Sequence, residues 1–174
     1  MFRLALLRHA KAAAPSGGGD HARPLAQRGR QDAPRLGAFM AEQGILPDLA
    51  LVSDSRRTRE TFDLVGPAFA QMPSLRLVPR IYEASAETLL AIVQAAPGSA
   101  GVLLLIGHNP GLAELAQRLT GFGDRYAASR MRIKFPTCGL AVLDFDVATW
   151  AEVDVRAGRL DCFVTPAQLG GEDD

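Results

Sequence analysis

Two histidines and two arginines in this sequence have the right chemistry to bind and transfer a phosphoryl group. Arg8 and His9 stand together near the start of the chain, Arg57 lies in an arginine-rich segment, and His108 follows a glycine. A guanidinium binds phosphate through paired N–H donors. An imidazole can serve as nucleophile, base or acid. These residue types favour phosphoryl chemistry, provided that the fold brings them together.

Each of these sites follows a short apolar run that is typical of a strand buried on both faces of a sheet. The runs are residues 4–7, 49–52 and 102–106, and an alternating run at 75–78 suits an edge strand. Segments with helical spacing separate them, which predicts an α/β fold with a mainly parallel sheet. Open α/β sheets bind ligands at the carboxyl ends of their strands. We therefore expect the four side chains to meet at one edge of the sheet.

The segment at residues 53–61 places three arginines at the start of a helix. Residues 53–55 are all suitable N-caps, so the arginines at 56, 57 and 59 fall in the first turn. Cations are unfavourable at the positive end of a helix, which is itself an anion site. This arrangement predicts a bound anion, with either Arg57 or Arg56 as its ligand. Two of the three arginines could instead point to solvent.

A loop rich in glycine and alanine follows the first strand, at residues 12–20. It would hang over the crevice and bring Arg23 to the substrate. The alternative is that Arg23 is a solvated loop charge, paired with Asp20. A helix then runs to a stop at Gly44. It starts either near Asp32 or, with a kink at Pro34, near Ala26.

The last third of the chain completes the sheet. Residues 123–132 are polar and basic, and their composition predicts a loop on the crevice side. Residues 140–145 form a strand, 148–156 with Trp150 form a returning strand, and 160–164 close the sheet as a hairpin. The whole sheet would have about six strands.

Composition excludes several classes of function. The chain has 174 residues, with 19 Lys and Arg against 19 Asp and Glu, so its net charge is zero. A protein that binds nucleic acid or an anionic membrane usually carries a basic excess. Cys138 and Cys162 have no metal or redox spacing, and no signal-peptide pattern precedes the first strand. We expect a cytoplasmic protein with no metal, no cofactor, and no nucleic-acid or membrane partner.

In their order and spacing these motifs resemble the histidine phosphatase superfamily. Leu7-Arg8-His9-Ala10 is similar to the Arg-His-Gly motif of that family, with alanine in place of glycine. Residues 53–61 are similar to its arginine segment, and Gly107-His108-Asn109 is similar to the motif that carries its second histidine. Within that superfamily, the chain resembles the short SixA-type branch most closely. The segments that carry this likeness are Arg8 to Lys11, Asp20 with Arg23-Pro24-Leu25, Phe135-Pro136-Thr137-Cys138, and Thr165-Pro166 with Leu169.

The resemblance implies a single three-layer α/β/α domain of the phosphoglycerate-mutase-like type. We place this domain at residues 1–169, and residues 170–174 as a flexible acidic tail. The resemblance further implies a covalent phosphohistidine intermediate on His9. Arg8, Arg57 and His108 would complete the phosphate pocket, with His108 as a charged donor. Burial among cations would keep His9 neutral.

The family resemblance also suggests a general acid after the third strand, for which Glu83 is the candidate. The alternative is that Glu83 is a solvated loop residue. Without an acid, a phosphoramidate substrate is favoured, because its nitrogen leaving group departs more readily. The first hypothesis is thus a phosphatase of phosphohistidine in a signalling protein. The alternatives are a phosphatase of small phosphomonoesters and a non-catalytic phosphate-binding module.

Overall fold

The computed structural model describes residues 1–174 and has one central sheet. Its strands are β1 (Phe2–Arg8), β2 (Leu49–Val52), β3 (Ser74–Leu77), β4 (Val102–Gly107), β5 (Thr120–Gly123), β6 (Leu140–Phe145) and β7 (Gly158–Val164). Their order in the seven-stranded sheet is β3-β2-β4-β1-β6-β7-β5. Only β6 runs against the others. The predicted α/β class and mainly parallel sheet are confirmed, with seven strands rather than about six.

Helices cover both faces of this sheet. They are α1 (Gln27–Glu42), α2 (Arg56–Val65), α3 (Ala86–Gln94), α4 (Gly111–Leu119) and α5 (Arg125–Ile133). Successive residues of a strand point to opposite faces. In β1, Leu4 and Leu6 accordingly join a core with α3, α4 and α5, while Ala5 and Leu7 join a second core with α1 and α2. Two cores separated by a sheet make the three layers that the resemblance implies.

Pairing between β1 and β4 aligns the two histidines. Arg8 lies opposite Gly107, and the His9 N–H donates to the Gly107 carbonyl at 3.1 Å. On the other side of β4, the Ser53 N–H donates to the Ile106 carbonyl at 3.1 Å. The ends of β1, β2 and β4 therefore lie side by side at one edge of the sheet, as predicted.

Two segments differ from their sequence-based predictions. Residues 125–133 form a helix and not a loop, because the Asp124 carboxylate accepts from the Tyr126 and Ala127 N–H groups and caps it. Residues 148–156 form no strand. Trp150 lies in a short 3-10 helix (Trp150–Glu152), and β7 supplies the partner of β6 instead.

The first helix settles the question about Pro34. Helix α1 begins at Gln27, so Pro34 lies inside it, as the longer alternative predicted. Gly29 allows this helix to pass the end of β1, since a Cβ atom there would lie 2.3 Å from the Lys11 carbonyl oxygen. The close approach fixes the chain that follows His9.

The helices and the two cysteines bear on the expectations of no membrane span and no metal or redox cysteine pair. None of the helices combines the length and apolar character needed to span a bilayer. Cys138 and Cys162 are both free thiols, and burial raises the pKa of each.

Candidate active site

The four side chains with phosphoryl chemistry line one cavity of about 260 Å³ at the carboxyl edge of the sheet. Arg8 ends β1, His9 follows it, Arg57 lies in the first turn of α2, and His108 follows β4. His9 and His108 are each 8% exposed, Arg57 is 6% exposed, and the two imidazole centroids are 5.3 Å apart. The pocket therefore concentrates two guanidiniums and two imidazoles with little water around them.

The hydrogen bonds of His9 leave one ring nitrogen available as a nucleophile. Its Nδ1 lies 2.8 Å from the Ala10 carbonyl oxygen, which can only accept, so Nδ1 carries the proton. The lone pair is then on Nε2, which lies 3.4 Å from Nε of Arg57. Burial, aided by the charges of His108, Arg57 and Arg8, lowers the pKa of His9 to about 3. His9 is thus neutral near pH 7, as expected of a nucleophile.

His108 has the opposite tautomer. Arg57 Nη2 lies 3.4 Å from Nδ1, and because guanidinium can only donate, this nitrogen accepts. The proton is on Nε2, which donates to the Ser53 hydroxyl at 2.8 Å. Burial, followed by the charge of Arg57, lowers the pKa of His108 to about 4. The sequence predicts a charged His108, whereas desolvation in this pocket favours the neutral ring near pH 7. A bound phosphoryl dianion would favour the protonated form.

The guanidinium of Arg8 is hydrogen-bonded through Nη1 but not through Nε. Its Nη1 donates to the Phe135 carbonyl at 3.0 Å, and Asn109 donates to the same oxygen at 2.9 Å. Its Nε is buried and has no hydrogen-bond partner. An unsatisfied buried donor of a cation is costly unless a ligand accepts from it. Arg8 therefore lines the cavity with a guanidinium whose donors are not all used within the protein.

Arg57 is fixed by the loop that crosses the pocket. Its Nη1 donates to the Asp20 carbonyl at 2.8 Å, and its Nη2 lies 3.0 Å from Oδ2 of Asp20. Thr61 donates to the Arg57 carbonyl at 2.7 Å and accepts from the Ala10 N–H at 3.0 Å, which ties α2 to the end of β1. Arg56 is exposed and pairs with Glu60 at 2.9 Å. Of the two arginines left open by the sequence, Arg57 lies in the pocket.

Asp20 joins a set of groups at the rim. Arg23 lines the cavity and donates to Asp20 at 3.0 Å and to the Ala13 carbonyl at 3.0 Å. The Tyr82 hydroxyl donates to Asp20, and the Tyr82 ring lies 5.4 Å from that of His108. The bonds from Tyr82, Arg23 and Arg57 hold the pKa of Asp20 well below its usual range. The loop is thus pinned over the pocket by an ionised carboxylate.

Glu83 is not brought into the pocket with His9. It is exposed, it has a left-handed φ of 58°, and it lines a neighbouring cavity that shares His108 and Asn109 with the pocket. The preceding residue, Tyr82, takes the position facing the loop. The structure places Glu83 where the solvated-loop alternative expects it.

A second carboxylate reaches the pocket from the acidic segment at the end of the sequence. Asp174 lines the cavity, accepts from the Thr137 N–H at 3.0 Å and lies 3.6 Å from Nζ of Lys11. Burial opposes ionisation of Asp174, but the bond from Thr137 and the charge of Arg8 lower its pKa below the usual value. Its negative charge partly balances the positive charge of Arg8 and Lys11.

Sequence reasoning missed several residues of this site. Ser53 could have been found, because it directly follows a buried strand just as His9 and His108 do. It was interpreted only as an N-cap, whereas Ser55 has that role by accepting from the Thr58 N–H. Tyr82 and Asp174 carry no local signal, since tertiary packing alone brings them to the pocket.

The tautomers and protonation states predict a distinctive titration. Between pH 8 and pH 5, the imidazoles of His9 and His108 should both stay neutral, because their pKa values of about 3 and 4 lie below this range. Nitrogen-15 NMR of the side chains should report a proton on Nδ1 of His9 and on Nε2 of His108. Titration of either ring near 6.5, the value of a free histidine, would contradict the described electrostatics.

Comparison with known proteins places the pocket in a family. Residues 4–88 match the model of the histidine phosphatase superfamily (branch 1). An uncharacterised protein of Mycobacterium tuberculosis strain H37Rv is 34% identical, over 92% of this chain and 99% of that protein. The match over nearly the full length extends the family relationship to the whole domain.

Solved structures agree with this relationship. One from Agrobacterium tumefaciens, provisionally described as the phosphohistidine phosphatase SixA, is 32% identical with a TM-score of 0.77, covering 95% of this chain and 99% of that one. Another, from Nakamurella multipartitia and with the same provisional description, is 26% identical with a TM-score of 0.84, covering 95% and 96%. The chain therefore belongs to the histidine phosphatase superfamily, in its SixA-type branch.

Proposed function

We propose that this phosphatase hydrolyses phosphohistidine in proteins through a covalent intermediate on His9. Nε2 of His9 would attack phosphorus in line, and the bond from phosphorus to the substrate nitrogen would break as the new N–P bond forms. The substrate imidazole leaves as a neutral ring, because the proton on its other nitrogen stays with it and no proton from the protein is needed. Water then attacks the phosphorus of phospho-His9, which releases inorganic phosphate and returns neutral His9.

The cations of the pocket would stabilise the charge on the transferring group. Phosphoryl transfer spreads negative charge over three equatorial oxygens, and catalysis is mainly positioning and electrostatic stabilisation. Arg8 would donate from its guanidinium, Arg57 through the Nε and Nη2 edge that lies between the histidines, and His108 through Nδ1 once this nitrogen is protonated. Arg23 at the rim would complete the binding site. Low exposure of these groups strengthens each interaction.

The observation that carries the choice of substrate is the state of the nearby carboxyl groups. Asp20 and Asp174 both have lowered pKa values, so they are ionised near pH 7 and cannot donate a proton. Glu83 is exposed and does not line the cavity of His9; it lines a neighbouring cavity on the other side of His108. An alkoxide leaving group needs an acid, whereas the nitrogen of a phosphoramidate departs more readily. The SixA descriptions of similar structures support the same substrate class.

A panel of substrates tests this proposal. We expect kcat/KM for a phosphohistidine-bearing protein to exceed that for sugar phosphates by at least about 10-fold, since only the sugar esters require general acid catalysis. Free phosphoramidate should also be hydrolysed. The His9→Ala variant, purified in parallel, controls for contaminating phosphatases.

Other outcomes of the panel identify the alternatives. Preference for sugar phosphates would assign the protein to small phosphomonoesters and leave the role of His9 intact. Failure to hydrolyse any member, with phosphate still bound, would indicate a non-catalytic phosphate-binding module.

A further inference from the structure

Helix α5 and its flanks carry a group of cations that the phosphoryl chemistry does not use. Arg125, Arg132, Lys134 and Arg156, here called the basic strip, have no hydrogen-bonded side-chain partner and no salt bridge. Three of them, Arg125, Arg132 and Arg156, line a cavity of about 460 Å³ between β5 and α5. Most other arginines pair with a carboxylate, among them Arg3, Arg23, Arg28, Arg35, Arg56, Arg57, Arg118 and Arg159.

The local charge is not balanced from within the helix. Asp124 is the acidic residue nearest in sequence to α5, and its carboxylate is already bonded to the Tyr126 and Ala127 N–H groups. The chain as a whole has no net charge, so these cations are a local excess. Unpaired cations around a cavity attract an anionic partner.

An apolar stripe runs beside the cations. Tyr126 and Ile133, spaced by two helical turns, are 77% and 83% exposed, and Phe122 just before the helix is 62% exposed. Large side chains of this kind, neighboured by arginines, are enriched at the centres of protein interfaces. Nucleic acid would use the cations but would not account for an exposed isoleucine at the end of the helix.

The strip reaches the edge of the phosphate pocket. Helix α5 ends at Ile133, and Lys134 connects it to Phe135, whose carbonyl holds both Arg8 and Asn109. Thr137 lines the pocket itself. The helix spans about 13 Å from its start to this end, from the rise per residue. A protein contacting α5 would thus lie directly beside the pocket.

We propose that the basic strip and its apolar stripe are the docking surface for the protein that carries the phosphohistidine, and that this protein presents an acidic surface with an apolar centre. The inference rests on the proposed function and adds the character of the partner. Charged docking of this kind acts on encounter and on KM, and it is weakened by salt. The phosphoryl chemistry itself would not depend on it.

Two variants with the same change in net charge test the docking surface. Arg125→Ala with Arg132→Ala removes two charges from the strip, and Arg76→Glu changes the charge by the same amount on exposed β3, at the opposite edge of the sheet. The probe is an acidic histidine-phosphotransfer domain. We expect the strip variant to bind this domain about 5- to 10-fold more weakly and to lose most of the salt dependence of binding. The Arg76→Glu variant should bind as the parent does.

Binding and turnover separate the two proposals. Equal binding by the strip variant and the Arg76→Glu control, or no binding by the parent, would overturn the docking surface. Hydrolysis of p-nitrophenyl phosphate should be unchanged in both variants, and a loss in the strip variant would overturn a docking role in favour of a structural one. A parent that binds the domain through the strip without releasing phosphate from its phosphohistidine would overturn the proposed function alone.

Discussion

Replacing His9 with alanine should lower kcat/KM for every phosphorylated substrate by at least about 10³-fold, because it removes the proposed acceptor of the phosphoryl group. The neutral imidazole with its lone pair on Nε2 is 8% exposed and lies beside two guanidiniums. The resemblance to the histidine phosphatases assigns the nucleophile to His9 and leaves His108, whose Nε2 proton is bonded to Ser53, to bind the phosphoryl oxygens. Steady-state hydrolysis of p-nitrophenyl phosphate measures the loss.

A folding control accompanies this variant. Thermal unfolding of His9→Ala and His9→Gln, compared with the parent, separates loss of the nucleophile from loss of the fold. If a folded His9→Ala protein hydrolyses p-nitrophenyl phosphate as fast as the parent, the nucleophile is assigned wrongly.

The second large effect is expected at Arg57. The Arg57→Ala variant should lose about 10²- to 10³-fold in kcat, as for removal of a preorganised donor to a transition-state oxygen. The matched control is Arg56→Ala, at the preceding position of the same helical turn. Its side chain is exposed and pairs with Glu60, so it should retain activity within about 2-fold.

The comparison between these two variants also tests the register of the helix. Arg57 contacts both histidines and Asp20, whereas Arg56 contacts none of them. A larger loss for Arg56→Ala than for Arg57→Ala would mean that the wrong arginine has been placed in the pocket.

The sequence predicted the centre of this site because the centre is built from strand ends. Fully apolar runs identify buried parallel strands, and the polar residues just after them meet at one edge by the geometry of the fold. Arg8, His9 and His108 were found in this way, and the cap before α2 located the arginines. The same rule would have included Ser53.

The rim of the site could be predicted only in part, because it depends on how loops pack. Asp20 was expected beside Arg23, whereas Tyr82 and Asp174 come from separate segments that reach the rim only after the sheet and helices are assembled. The expected general acid illustrates the limit. Glu83 is adjacent in sequence to a residue that faces the pocket, yet its own side chain lies outside.

The sequence-based prediction for α5 was wrong for a different reason. Its polar, basic composition was interpreted as a loop, although Asp124 is a good N-cap and Ala127 and Met131 are spaced as an inward face. The narrow apolar face was outweighed by exposed arginines. Arg125 and Arg132 on this helix have no ion pair and line one cavity, which is also part of the basis for the docking surface.

The measurement that tests the central claim most directly is capture of the phosphoryl enzyme during turnover. Rapid quenching into alkali, followed by peptide mass spectrometry, should locate an acid-labile phosphate on His9, and no phosphate should appear in the His9→Ala variant. The parent is the decisive sample. In His108→Ala, phospho-His9 should accumulate to a higher level than in the parent only if His108 acts after the first transfer. A phosphate on any other residue, or turnover in the parent without phosphate on His9, would contradict covalent catalysis by His9.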